Sequence, residues 1–150
     1  MILLYSKEHV SMAEAQVTEI IANLEDQTWK VLSNSGKDLL PFLSSDCMMS
    51  MPYGMQLSAA SEPSLEEVMT SDAFVPWKSY RLSNVVVTPV GSEGAVINYR
   101  VKASRPDPDG KEGTFRALVA SVWRKDPSSG AWQICFHQQT PYDHTPEDMI

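Results

Sequence analysis

The chain has 150 residues, with 43% hydrophobic and 21% charged side chains, which suits one folded domain able to bury roughly two thirds of its unfolded surface. Its net charge of -7 and pI near 4.8 oppose approach to nucleic-acid phosphates or an anionic membrane, so neither is expected as a partner. The opening MILL is too short for a signal-peptide core or a spanning helix, and Cys47 and Cys135 show no metal-binding spacing. Free thiols, a cytoplasmic setting and neither metal nor cofactor are therefore expected.

In chain order, Ser11 and Glu14 have capping-box spacing, which predicts a helix start in which each side chain satisfies an otherwise unpaired amide. Val17, Ile21, Leu24, Thr28 and Val31 follow at steps of three and four, giving one apolar face, and Asn34, Ser35 and Gly36 stop the run. Asp38 before Leu39, Leu40 and Pro41 predicts a second short helix, since proline is tolerated in a first turn. The stretch CMMSMPYGM reads as a strand ending at Pro52 and Gly54. Ser64 and Glu67 repeat the capping box for a third helix reaching Ser71.

Four runs rich in β-branched and aromatic residues follow, Tyr80 to Val90, Ala95 to Ser104, Thr114 to Arg124 and Trp132 to Thr140. GSEG, RPDPDGKE and KDPSSG between them carry turn residues, so an antiparallel meander is expected.

The element order, the segment WKVLSNSGKDLLPFLSSD from Trp29 to Asp46, SVWRK from Ser121 and GAWQICFHQQTP from Gly130 together resemble the nuclear-transport-factor-2-like (SnoaL-like) superfamily, nearest to its uncharacterised members. The resemblance covers about Glu14 to Pro141, leaving residues 1–12 as an extension and 142–150 as a tail of one domain spanning 1–150. It implies an α+β fold, a cone-shaped, strongly bent antiparallel sheet packed on three helices from the first half. It also implies an apolar pocket and frequent pairing through the sheets. The superfamily hosts isomerases, dehydratases, cyclases and association domains, so the fold alone fixes no function.

Where ketosteroid-isomerase-type members have a base aspartate, this chain has Met51, and their two carbonyl-polarising groups correspond to Thr28 or Trp29 and to Ser121. The paired histidines of scytalone-dehydratase-type members have no counterpart, because His9 and His144 lie near the ends and only His137 falls in a strand. His137 is thus the best acid or base candidate, against the plainer reading of a hydrogen-bonded structural histidine.

Residues two apart on a strand share a face. Aligned to the isomerase pattern, Asn98 and Arg100, then Val119, Ser121 and Trp123, then Cys135, His137 and Gln139 face the pocket. Tyr99, Val122, Trp132 and Ile134 then belong to an apolar outer face that a second copy would cover. The opposite parity stands as the alternative, with Arg100 a solvent-facing arginine. On the first parity the ligand set is Asn98, Arg100, Ser121, Trp123, His137, Gln139 and Trp29. The expected function is a small-molecule-binding domain for an apolar or anionic ligand, acting as an accessory isomerase or cyclase. The alternative is a non-catalytic homodimeric association or scaffold domain.

Overall fold

The computed structural model describes residues 12–144, so Ser11 and His9 lie outside the described residues. Helix α1 runs Met12–Leu32. A 3₁₀ helix Gly36–Phe42 follows, then strand β1 Leu43–Met51, a 3₁₀ turn Pro52–Gly54 and a short strand β2 Met55–Leu57. Helix α2 Leu65–Thr70 precedes strands β3 Ser79–Pro89, β4 Gly94–Pro106, β5 Glu112–Lys125 and β6 Trp132–Pro141. The architecture is α+β, as the sequence implies.

The second predicted helix is 3₁₀ rather than α. Its cap is Ser35, whose hydroxyl accepts from the Lys37 amide at 3.2 Å, and Pro41 lies inside it. A Cβ on Gly36 would collide with the Met69 carbonyl oxygen, so this position lets the 3₁₀ segment lie directly on α2. The Ser64–Glu67 capping box of α2 forms with both reciprocal bonds, at 3.2 and 3.1 Å.

The six strands make one sheet in the order β2-β1-β6-β5-β4-β3. β3 to β6 form the predicted antiparallel meander. The expectation of a wholly antiparallel sheet needs correction at one place: β1 lies parallel to β6, with Met48 opposite Phe136 and Met49 opposite His137. Register shifts bend the sheet, one in β3 between Ser83 and Val86, where Asn84 has φ 54°, one between β5 and β6 near Cys135, and one in β1 between Leu43 and Met48 where it pairs with β6.

Helix α1 lies across the inner face of this sheet and buries Val17, Ile21, Glu25, Thr28 and Trp29. Its buried face is therefore rotated from the stripe read off the apolar residues, with Glu25 and Trp29 at its centre while Leu24 and Val31 are only half-buried. Across from it, β4 contributes Ala95, Ile97, Tyr99, Val101 and Ala103, and β5 contributes Ala117, Val119, Ser121 and Trp123. Their side chains face inward together because Ile97 pairs with Ser121 and Tyr99 with Val119.

Candidate functional site

The centre of the core is polar. Glu25 is fully buried, and every group around its carboxylate is a donor: Trp123 Nε1 at 2.8 Å to Oε1, and Tyr99 Oη at 2.5 Å and Ser121 Oγ at 2.9 Å to Oε2. Trp29 Nε1, which can only donate, binds the Tyr99 oxygen at 2.6 Å and so leaves the tyrosine hydrogen for Glu25. Ser121 Oγ also lies 2.8 Å from His137 Nδ1, and His137 Nε2 lies 3.1 Å from Gln139 Nε2. Helix α1 and strands β4, β5 and β6 thus meet in one hydrogen-bonded chain. Among the described residues no buried side-chain polar atom lacks a partner.

Burial shifts these groups in opposite senses. It raises the Glu25 carboxyl above the usual range, against the three hydrogen bonds that favour its ionised form. Burial, reinforced by the Glu25 charge, raises the Tyr99 hydroxyl well above its ordinary value. Burial alone pushes His137 down to about 4, so its imidazole is neutral near pH 7.

Beside this chain a cavity of about 570 Å³ opens between α1, the 3₁₀ segments, α2 and the sheet. Its walls are mainly apolar, with Trp29, Leu39, Met49, Met51, Met69 and Trp77 prominent, and His137 and Gln139 contribute its polar inner side. A wider depression of about 920 Å³ adjoins it, sharing Trp77, Phe115 and Arg105 at the lip. Arg105 holds a fixed posture there, its guanidinium carbon 4.0 Å above the Trp77 ring and Nη1 donating to the Val75 carbonyl at 3.0 Å. Burial lowers its pKa. Among the described residues a ring and a carbonyl, rather than a carboxylate, position this cation.

The predicted ligand set divides. Trp29, His137 and Gln139 line the cavity, as does Met51. Ser121 and Trp123 face inward but lie behind the wall, bonded to Glu25. Asn98 and Arg100 do not join them. They pair across to Ala120 and Leu118 on the opposite face, where Asn98 donates to the Val119 carbonyl at 2.9 Å. The assumed parity is therefore inverted on β4 although it holds on β5, a one-residue difference in register that exchanges the two faces. On β6 the irregularity near Cys135 lets both Ile134 and His137 point inward although they are three residues apart.

Two residues that matter lie outside the predicted ligand set, Glu25 and Arg105. Glu25 stands four residues after Ile21 and four before Trp29, on the buried face, and a carboxylate at that spacing was the available signal. Arg105 was hidden in the turn-like RPDPDG. Among the described residues no cluster of three His, Cys, Asp or Glu side chains gathers to hold a metal ion, and no helix is long and apolar enough to cross a membrane.

No protein-family profile matches the chain, and no curated protein matches it in sequence. Solved structures do match in fold. An NTF2-like protein of unknown function in nutrient uptake from Rhodospirillum rubrum is 18% identical over 81% of this chain and 98% of its own, with a TM-score of 0.65. A candidate calcium/calmodulin-dependent kinase II association domain from Exiguobacterium sibiricum is 20% identical over 91% and 98% of the two chains, TM-score 0.68. The association domain of C. elegans CaMKII is 15% identical over 85% and 96%, TM-score 0.63. The chain therefore has the nuclear-transport-factor-2-like fold, a bent sheet closed over a cavity by helices.

Proposed function

We propose that this chain is a small-molecule-binding domain whose cavity takes a compact apolar or aromatic acid. The observation that carries this reading is the cavity itself, about 570 Å³ of mainly apolar wall with Arg105 held at its lip. That volume is within the range of ligand pockets, and a few placed polar groups on apolar walls are their usual composition. Arg105 supplies what Arg100 was expected to supply, a guanidinium for an anionic group.

Titration of tryptophan fluorescence tests the reading, since Trp29 and Trp77 line the cavity. A naphthoic acid is expected to bind better than the neutral naphthylmethanol. Arg105→Gln should weaken the acid by about tenfold to a hundredfold, the size of one charge-assisted hydrogen bond at ~1.5–3 kcal/mol. Equal binding of acid and alcohol, or no binding of either, counts against it.

A second reading, self-association, is favoured by a specific feature of the outer face. Met48, Phe136, Val122 and Val96 lie in one cross-strand row, and Leu118 and Val86 are exposed beside it. The fold's occurrence in an association domain adds support. Tyr99 and Ile134, assigned to this face from sequence, are instead core residues, so the informative substitution is Val122→Glu. Light scattering should show a dimer for the parent chain and a monomer for the variant, because an interface would bury the new carboxylate unpaired. A parent chain that stays monomeric at high concentration removes this reading.

A further inference from the structure

We propose that His137 is a general base for a pocket-bound carbon or oxygen acid, with Ser121 and Glu25 relaying the abstracted proton into the core. The proposal rests on the ligand-pocket reading above and assigns that pocket a chemistry.

The donors that cannot accept fix the direction of each hydrogen bond in the chain. Trp123 and Trp29 can only donate, and Trp29 occupies the Tyr99 oxygen, so Tyr99 donates to Glu25. Ser121, 2.9 Å from the same carboxylate oxygen, donates its own hydrogen there. Its oxygen is then an acceptor for His137, 2.8 Å away, which places the imidazole hydrogen on Nδ1. The bond at the other end of the ring agrees independently: Gln139 Nε2 donates to His137 Nε2 at 3.1 Å, which requires an unprotonated Nε2. The lone pair of Nε2 therefore lies beside Gln139, and both residues line the cavity.

A ligand bearing an acidic C–H or O–H that displaces Gln139 from this contact meets a base. As Nε2 takes the proton, the bond from the ligand atom to hydrogen breaks and its electron pair stays on the ligand. The Nδ1 hydrogen passes to Ser121 Oγ, and the serine hydrogen passes to Glu25 Oε2. No net charge accumulates on the ring, and the reverse sequence returns the proton to product or to cavity water. Burial supplies the direction of transfer. It disfavours a charged imidazole and a charged buried carboxylate alike, so a proton arriving at His137 is passed on, and its arrival at Glu25 neutralises the buried charge. The relay thus explains how a histidine of low basicity can act as a base: the accepting strength resides at Glu25. The same chain explains why Ser121 is inward and buried although it does not line the cavity.

The test uses a nitrobenzisoxazole, an apolar probe whose base-promoted opening needs only proton removal: the C–H proton goes to the base, the ring N–O bond breaks, and a cyanophenolate absorbs visibly. The full chain is expected to open it with saturation kinetics. His137→Gln should abolish the saturable rate, and Ser121→Ala should lower kcat by about tenfold or more with KM unchanged. Ser121→Thr, which keeps the hydroxyl, should restore it. Nitrogen-15 spectra of the His137 ring in the parent protein should show the Nδ1–H tautomer. An Nε2–H tautomer overturns the proposal whatever the kinetics, as does an unchanged kcat in Ser121→Ala. A probe that binds, by fluorescence titration, without being opened overturns the base while leaving the pocket reading intact. A probe that neither binds nor opens counts against both.

Discussion

Replacing Glu25 by alanine is expected to destabilise the fold by about 3–5 kcal/mol, because three buried neutral donors lose their acceptor at about 1–3 kcal/mol each. The substitution removes the sole shared acceptor of Tyr99, Ser121 and Trp123, three donors with almost no exposure. Each is left to lose its hydrogen bond or to draw water into the core. Glu25→Gln is expected to lose less, about 1–3 kcal/mol, because its amide oxygen can still accept from Trp123. Its amide hydrogens, however, face Tyr99 and Ser121, and Tyr99 already accepts from Trp29. Urea unfolding of both variants checks the order. An alanine variant within about 1 kcal/mol of the parent chain would mean that the network contributes no more than an ordinary surface position.

The second large effect depends on pH. The folded imidazole of His137 titrates at about 4 rather than at its ordinary 6.5, so below pH 6.5 the unfolded chain binds a proton that the folded chain refuses. Stability from this group is fully present above 6.5 and is lost as pH falls toward 4, to a total of about 3 kcal/mol. Glu25 acts in the opposite sense. Its carboxyl, raised by burial, takes up a proton in the folded state before the unfolded state does, which stabilises the fold as pH falls through that raised value. The parent curve mixes both contributions, so the informative quantity is its difference from His137→Gln. That difference should change by about 3 kcal/mol in favour of the variant between neutral pH and pH 4. A flat difference would mean that His137 is accessible to water and titrates as a free histidine.

These groups also show where reading the sequence succeeds and where it stops. Local signals were sufficient for local structure: Ser64 and Glu67 form the capping box their spacing implies, and the turn-rich segments separate the four late strands. Strand parity was only partly legible, because β4 carries Val96 and Ile97 side by side and both Tyr99 and Arg100 are amphipathic, so alternation alone does not choose a phase. The phase is fixed by pairing across the turn, which sets Tyr99 opposite Val119 and Arg100 opposite Leu118. The parallel pairing of β1 with β6 joins segments some 90 residues apart in the chain, and nothing local encodes it. His137, Gln139 and Trp29 line the cavity; alignment to the isomerase pattern pointed to them, whereas the apolar stripe of α1 is rotated from its buried face. Glu25 was passed over because a carboxylate is ordinarily assigned to solvent, and only its partners on two strands make its burial tolerable.

The most direct test of the cavity as a ligand site is a crystal structure of the protein grown with a naphthoic acid. Density is expected in the cavity, with the carboxylate on Arg105 and the rings against Trp29 and Trp77. Density confined to ordered water, or an acid bound only on the outer sheet face, would contradict it.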